Sequence, residues 1–423
     1  MTGSERVPGD RQAARTHLIH DASGFQRFWA ARCTSALGTG VAAVALLWIV
    51  SAGQDAGLAV GVVAAAELAA PSVLAPVLGP LVDRTNRRTL LIGSVTLRIA
   101  TTLSLPFAYG YGGVGAVVPL ALAQGMLSVL SANAASAALP ELVGKERLAT
   151  ANAMLVTGTH VALVVGSALG GVLVGLSRFL PFAVDALTYL LAASLLATVD
   201  NARFGVRCHL GLGAVVGAPY WRELSEGATA FRSLKAVRTL AGIGTIATLG
   251  FAPASVALVV LVRASLGGSG AGYGAVRAAA AIGLASGAQV APWLARRLNS
   301  SARAMSAGYC AMGMLTVILG VVPNVASALP VALLRSGSNG LLGVPSTVLL
   351  QRHVPPELRG RVFTLLGALE EAPRLAILPI AGLLADDIGP RLLFIFMALP
   401  ILAASVIAIA ARRLLDAPGP SPT

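Results

Sequence analysis

The stretch Gly79–Leu91, GPLVDRTNRRTLL, is a short polar segment between two long apolar runs. It holds one acid and three arginines within a chain of 423 residues that is 56% hydrophobic and only 12% charged. Soluble domains carry about 25% charged residues, so this chain has too little polar surface to fold in water. The stretch is therefore expected to be a turn at a membrane surface, between two helices that cross the lipid.

Apolar runs long enough to cross a bilayer recur along the whole chain. A crossing helix needs about 20 mostly apolar residues, and a helix satisfies its own backbone polar groups in lipid. The sequence therefore predicts an all-α, polytopic membrane protein with twelve transmembrane helices. These spans lie near residues 27–51, 57–81, 89–109, 114–138, 149–176, 179–199, 238–262, 271–295, 304–322, 327–350, 362–385 and 391–411.

The basic residues predict the orientation of these spans. If both termini are cytoplasmic, 23 Lys and Arg residues fall on inner segments, and three, Arg178, Arg263 and Arg391, fall on outer loops. This bias follows the positive-inside rule and predicts that both termini lie on the inner side of the membrane. Because the net charge of +13 is spread over many short loops, nucleic-acid binding is not expected.

Chemical motifs do not point to catalysis. The three cysteines, Cys33, Cys208 and Cys310, have no close spacing, so neither a disulfide framework nor a metal site is expected. No nucleophile triad, nucleotide fold or phosphate-binding loop is evident. The sequence predicts a protein that is not an enzyme, needs no cofactor or metal, and is powered by an ion gradient.

An internal duplication predicts the domain organisation. PELVGK at Pro140–Lys145 recurs as PELRGR at Pro356–Arg361, and GPLVDRTN at Gly79–Asn86 aligns with PWLARRLN at Pro292–Asn299. Parallel repeats around a central site are a transporter design. We therefore expect two parallel six-helix halves, residues 27–199 and 238–411, joined by a cytoplasmic linker at 200–237 and flanked by cytoplasmic tails at 1–26 and 412–423.

The opening stretch resembles the inner-loop motif of the major facilitator superfamily, G-x-L-[AV]-D-R-x-G-R-[RK]-x-x-L. Four further segments resemble its bacterial drug, macrolide and siderophore exporters: FQRFWAARCTSALGTGV, LPELVGKERLATANAM, VDALTYLLAA and LLQRHVPPELRGRVFTLLGAL. The resemblance covers nearly the whole chain. It implies the major facilitator fold and a monomer that exports a hydrophobic or amphipathic small molecule, such as an antibiotic or siderophore, in exchange for protons.

Two alternatives stay open at this point. One is an importer or lipid flippase on the same fold, because a fold does not fix a function. The other is a membrane receptor or assembly factor that transports nothing.

The resemblance assigns a gating role to Gly79, Asp83, Arg84, Arg87 and Arg88. Asp83 is expected to end the second span and face the positive N-terminus of the eleventh, while the arginines bind inner-loop carboxylates or lipid phosphates. The family usually has Gly at position 86, and Asn86 is expected to keep the left-handed turn, since Asn tolerates that backbone. The alternative is that the arginines only set the orientation.

The fifth span carries a second motif, GTHVALVVGSALGG at 158–171. It resembles the exporters' G-P-x-x-G-G motif, with Ser167 in the place of proline. The resemblance implies a gate between the halves at Gly166, Ser167, Gly170 and Gly171. Plain close packing of small residues is the alternative.

Ionisable residues inside the spans are candidates for proton coupling, because charges there are costly. At 1.5 Å per residue, Glu67 and Arg98 lie roughly 20 Å and 14 Å from the inner ends of their spans. They are expected to pair at mid-membrane, where Glu67 can carry a proton between the two faces, although a purely structural pair is an alternative. Glu370 and Arg374 are spaced to neutralise each other, and Asp185 is interpreted as mainly structural.

The resemblance also predicts a central cavity lined by spans 1, 4, 7 and 10. The candidate wall residues are the large or polar side chains of these spans: Trp48, Gln124, Asn133, Phe251, Arg335 and Asn339.

Overall fold

The computed structural model describes residues 23–69, 86–200, 231–232, 234–355 and 358–417. This part of the chain consists of helices joined by short turns and contains no strand, which confirms the predicted all-α class. The main helices are α1 Ser23–Val50, α2 Ala56–Ala69, α3 Arg87–Val143, α4 Leu148–Leu176, α5 Leu180–Ala197, α6 Lys235–Phe251, α7 Ala254–Val260, α8 Gly270–Leu298, α9 Ser301–Val321, α10 Val325–His353, α11 Arg359–Asp387, α12 Pro390–Ala410 and α13 Arg412–Leu415.

Helix α3 is a hairpin of two arms. Its 57 residues contain one non-helical residue, Gly113, with φ 59° and ψ −149°, a region that glycine enters without steric cost. Arg98 before this glycine bonds Gln124 after it, at 2.9 Å between Nε and Oε1. In a straight helix these residues would be about 39 Å apart. The arms therefore run antiparallel, as expected for the predicted spans at 89–109 and 114–138.

The membrane character of the chain is evident from helix length and composition. In the described residues, eight helical segments are long and apolar enough to cross a membrane, with α3 counted as one and α6, α7 and a π-helical turn at Leu261–Ser265 joined as another. Proline at position 253 separates α6 from α7, because it lacks the N–H that an unbroken helix would use.

Asn86 does not take the predicted left-handed conformation. Its φ of −61° and ψ of 119° are extended, and its side chain accepts hydrogen bonds from the N–H groups of Arg88 and Thr89. Asparagine is a strong N-cap because it satisfies N–H groups that lack partners in the first turn. Asn86 therefore starts α3, and the prediction of a glycine-like turn at this residue was wrong.

Corresponding helices pack in the same way in the two predicted halves. The first arm of α3 packs on α5 as α9 packs on α12, and α1 packs on α5 as α6 packs on α12. The core between α9 and α12 includes a pair of serines, Ser306 and Ser405, which hydrogen-bond at 3.0 Å. This packing leaves cavities within the first half and between the halves.

Candidate functional site

Four cavities adjoin one another from the predicted inner end of α4 to the boundary between the halves. We call them the Asn152 cavity (about 610 Å³), the arginine cavity (about 230 Å³), the network cavity (about 360 Å³) and the interface cavity (about 250 Å³). Arg32 lines the first two, Arg98 the second and third, and Glu67 the third and fourth. Polar side chains therefore mark each junction of this series.

A buried chain of hydrogen bonds forms one wall of the network cavity. Arg98 donates to Gln124, Gln124 donates to Thr102 at 2.6 Å, and Thr102 donates to Asp185 at 2.8 Å. The Arg98 guanidinium also stacks over the Tyr189 ring, 4.5 Å from its centroid. Asp185 is 1% exposed. The network ties both arms of α3 to α5, which agrees with the structural interpretation of Asp185.

The Thr102→Val change is expected to destabilise the protein. Valine matches threonine in shape, but it leaves the Gln124 amide and the Asp185 carboxylate without a shared partner in a buried site. An unsatisfied buried polar group costs about 1–3 kcal/mol, so we expect a loss of that size in the free energy of unfolding. An SDS titration in mixed micelles measures it.

Thr101→Val is the matched control, because within the described part of the chain the Thr101 hydroxyl bonds only carbonyl groups of its own helix. Equal stability of the two variants would contradict a structural role for the network.

Glu67 does not form the predicted direct pair with Arg98. Both side chains line the network cavity, but no ion pair joins them, because Gln124 on the opposite arm of α3 holds the Arg98 guanidinium. Glu67 also lines the interface cavity with Arg277 of α8 and Arg374 of α11, and it interacts electrostatically with Arg98 and Arg277. Sequence reasoning gave Arg277 no role, since nothing in the linear pattern places α8 beside α2.

The predicted neutralisation of Arg374 by Glu370 was also wrong. Arg374 pairs with Glu371 instead, at 3.2 Å between Nη1 and Oε1. The Glu370 carboxyl group lies beside Gly244 of α6, where an added Cβ would come within 2.7 Å of its Oε1. Glu370 therefore packs against α6 and does not pair with Arg374, which forms its ion pair with Glu371 instead.

The predicted inner gating motif falls only partly within the described residues. Gly79, Asp83 and Arg84 lie outside them. Arg87 lies 3.9 Å from Glu141, which the sequence placed in an inner loop and which lies in the last turn of α3, and Arg88 donates to the carbonyl of Ala197 at the end of α5. Arg87 thus contacts a carboxylate of the kind that the family resemblance implies, and the gating role stays a prediction.

The small residues of α4 make two close helix contacts. A Cβ on Gly166 or Gly170 would come within 2.0 Å of the Leu37 carbonyl oxygen or 2.4 Å of the Val41 carbonyl oxygen, both on α1. A Cβ on Gly171 would come within 2.4 Å of the Gly270 carbonyl oxygen on α8. Helix α4 is therefore packed against its own half on one side and against the other half on the opposite side.

Ser167 belongs to the second of these contacts. Its carbonyl oxygen lies 2.8 Å from the position that a Cβ on Gly274 of α8 would occupy. The four candidate gate residues thus lie where α1, α4 and α8 meet, while their role in gating stays a prediction.

The halves are joined at the predicted outer end by a carboxylate on a helix terminus. Asp386, at the end of α11, accepts hydrogen bonds from the N–H groups of Gly57 (2.7 Å) and Leu58 (2.9 Å) in the first turn of α2. The backbones also touch, because a Cβ on Gly57 would lie 2.3 Å from the Gly382 carbonyl oxygen. An anion is favoured at a helix N-terminus, so Asp386 closes this end of the protein.

A second contact closes the same end. Arg263, in the π-helical turn after α7, donates to the Ser51 hydroxyl at 2.9 Å and lies 3.9 Å over the Trp48 ring. Trp48 also stacks on Tyr273 of α8, with 5.9 Å between ring centroids. Trp48 therefore contacts the second half at the closed end.

Of the candidate wall residues, Gln124 lines one of the four cavities. Phe251 packs against a core cluster of α6, α9 and α12, and Arg335 donates to Thr316 of α9 at 2.8 Å. Asn133 and Asn339 are half-buried. Their roles in a substrate cavity, and that of Trp48, stay predictions.

The Asp386→Ala change is expected to open the predicted outer end. It removes two charge-assisted hydrogen bonds, and bonds to a charged group contribute about 1.5–3 kcal/mol, so we expect about a tenfold rise in the accessibility of this end. The measurement is labelling of Leu58→Cys by a membrane-impermeant maleimide, in a background without the native cysteines.

Asp387→Ala is the matched control, since this neighbouring exposed acid has no hydrogen bond to α2 among the described residues. Equal labelling rates in the two variants would mean that Asp386 does not hold the end closed.

Long apolar helices, a series of adjoining cavities with polar side chains and a contact between the halves at one end are the features expected of a polytopic membrane transporter. The family comparison gives the particular class: the chain belongs to the Major Facilitator Superfamily, whose family model matches residues 28–376. The family and the relatives below are transporters, not enzymes.

The chain is similar over most of its length to named efflux proteins. It is 21% identical to macrolide efflux protein A of Streptococcus pyogenes over 391 residues, which cover 90% of this chain and 94% of that protein. It is 26% identical to the multidrug efflux pump Tap of Mycobacterium tuberculosis over 403 residues, or 89% and 90% of the two chains. These similarities confirm the resemblance to the drug and macrolide exporter branch.

Solved structures confirm the fold. The crystal structure of nucleoside transporter NupG matches with a TM-score of 0.73 at 11% identity, and the match covers 91% of this chain and 99% of that one. At this identity the likeness concerns the fold alone.

Proposed function

We propose that this protein is a proton-coupled exporter of a hydrophobic or amphipathic small molecule, such as an antibiotic, another natural product or a siderophore. In this proposal it acts as a monomer in the bacterial plasma membrane, with both termini in the cytoplasm. Similarity to two kinds of efflux protein over about nine tenths of the chain supports the class of substrate. The positive-inside bias supports the orientation.

One observation carries the proton coupling, namely the position of Glu67. Its carboxyl group lies within a predicted span, lines two adjoining cavities, and forms no hydrogen bond or ion pair with any described residue. An ionisable group inside a membrane that is not neutralised by a direct partner is a functional site by default. Loss of its proton strengthens its attraction to Arg277 of the other half, so proton release is coupled to the relative position of the halves.

The gates complete the proposed cycle. Asp386 holds the predicted outer end closed in this structure. The motif residues Asp83, Arg84, Arg87 and Arg88 hold the inner end closed in the opposite state, and the small residues of α4 allow the halves to rock past each other. Alternating access then exposes Glu67 to one solution at a time.

Drug accumulation in bacterial cells that express the protein tests this proposal. Expression is expected to lower the steady-state level of at least one compound in a panel of acidic, neutral and basic amphipathic drugs, and a protonophore is expected to restore it. A higher level in expressing cells would indicate an importer. An unchanged level, together with no movement of any probe in proteoliposomes, would indicate a receptor or assembly factor.

A further inference from the structure

We propose that Arg32 and Arg98 form an anion-binding subsite for an acidic group of the transported molecule. The inference rests on the proposed function and names a chemical class of substrate, an amphipathic anion. The acidic group binds in the arginine cavity, and the apolar remainder of the molecule occupies the adjoining Asn152 cavity.

The geometry of the arginine cavity carries the first step. Arg32 of α1 and Arg98 of α3 both line it, and each is positioned by a neutral side chain. Arg32 donates to the Ser131 hydroxyl at 3.1 Å, while Arg98 donates to Gln124 at 2.9 Å and to the Thr39 hydroxyl at 3.5 Å. These bonds use only part of the five N–H donors of each guanidinium. The other N–H donors make no hydrogen bond to the described residues, so they can bind a ligand.

The electrostatics carry the second step. Among its lining residues the arginine cavity has two arginines, one histidine and several hydroxyl groups, but no carboxylate. The two guanidinium groups repel each other, and two like charges at a low-dielectric site are costly unless an anion lies between them. Arginine is also the residue best suited to bind carboxylate or phosphate oxygens in pairs.

Nearby carboxylates do not fill this role. Glu67 and Asp185 line the network cavity and interact electrostatically with Arg98, but neither forms an ion pair with it and neither lines the arginine cavity. Asp185 is held by Thr102. Among the described residues, no carboxylate therefore lines the arginine cavity.

The sizes of the cavities carry the third step. The arginine cavity, at about 230 Å³, accommodates an acidic group but not a whole drug-sized molecule, because ligand pockets run from about 300 to 1,000 Å³. It shares Arg32 and Thr159 with the Asn152 cavity of about 610 Å³, whose lining includes Leu139, Pro140 and Leu155. The pair of cavities thus fits a ligand with one acidic end and an apolar body.

Binding of a matched pair of fluorescent probes tests the subsite. Dansylglycine carries a carboxylate, and dansylglycinamide is its neutral counterpart of nearly the same shape. We expect the full-length protein in phosphatidylcholine nanodiscs at neutral pH to bind the carboxylate at least about tenfold more tightly than the amide. Arg32→Gln and Arg98→Gln should each remove most of this preference and leave affinity for the amide unchanged.

Three controls keep the test sharp. Arg352→Gln removes an exposed arginine outside the cavities and should change neither affinity. Arg32→Lys keeps a positive charge and should retain part of the preference. Arg98→Lys does the same at position 98. Because Arg98 also belongs to the buried network, affinity for the amide is the check of folding: a variant that still binds the amide is folded, and its loss of preference for the carboxylate is then a loss of the subsite.

Competition distinguishes the source of the anion. A transported acid is indicated if dansylglycine, but not its amide, also enters proteoliposomes in a manner that depends on Arg32. The proposal is overturned if both probes bind equally well, or if phosphatidylglycerol or inorganic phosphate displaces the carboxylate probe and no such transport occurs. Binding needs neither export nor a proton gradient, so failure here is distinguishable from failure of the exporter proposal.

Discussion

Glu67→Gln is expected to abolish proton-driven accumulation of substrate while leaving downhill exchange intact. Glutamine keeps the shape of the side chain but cannot take up or release a proton. With one proton exchanged per substrate molecule, a pH gradient of one unit drives about a tenfold concentration gradient. Wild-type proteoliposomes should reach this ratio, and the variant should stop near one. Transport rates measured at a series of pH values then test whether the loss of proton exchange at Glu67 is the cause, because the variant should lose the pH dependence of the wild type.

The control for this experiment is Glu146→Gln, an exposed acid in the loop before α4. It should accumulate substrate like the wild type. Unchanged accumulation and pH dependence in Glu67→Gln would remove Glu67 from the coupling mechanism and leave it with a structural role.

The second large effect is expected from Gly171→Val on α4. A Cβ at this position would lie 2.4 Å from the Gly270 carbonyl oxygen and 2.7 Å from the Gly274 Cα, both backbone atoms of α8 in the other half. Backbone atoms cannot move aside like a flexible side chain, so the halves must separate at the predicted outer end. Overpacking costs about 1–3 kcal/mol, which corresponds to a shift of about 5–150-fold away from the outer-closed state.

Labelling of Val174→Cys measures this shift, because Val174 packs against Gly270 at the same contact. A membrane-impermeant maleimide should label it faster in the Gly171→Val background. Gly175→Val is the matched control, since a Cβ at Gly175, one turn further along α4, meets no atom within 4 Å. If both variants label at the same rate, the contact between α4 and α8 does not govern the closed state.

Hydropathy and motif spacing were sufficient to predict the fold class, because whether a segment forms a membrane helix depends mainly on the residues of that segment. A run of about 20 apolar residues has few alternatives to a membrane helix, and the break between the third and fourth predicted spans contains Gly113, where α3 turns. Asn86 shows the limit of a motif. Asparagine is common both in left-handed turns and at helix N-caps. Because α3 begins at the next residue, Asn86 is an N-cap.

The partners of the charged side chains could not be predicted in the same way. Glu67 and Arg98 were expected to meet because they lie at similar depth, but depth does not determine which face of each helix is turned to the other. Arg98 donates a hydrogen bond to Gln124 because the hairpin of α3 brings its two arms together. Asp386 is an acid at the end of a span, and its partner at Gly57 is 329 residues away, which no local pattern reveals.

Proton movement during substrate transport tests the central claim most directly. The purified protein is placed in proteoliposomes with a pH-sensitive dye inside, and a gradient of a drug that the accumulation assay identifies is imposed without a pH gradient. We expect the wild type to move protons in the direction opposite to the drug, and Glu67→Gln to move none. Protons that move with the drug, or a wild type that carries the drug without moving protons, would contradict proton-coupled export.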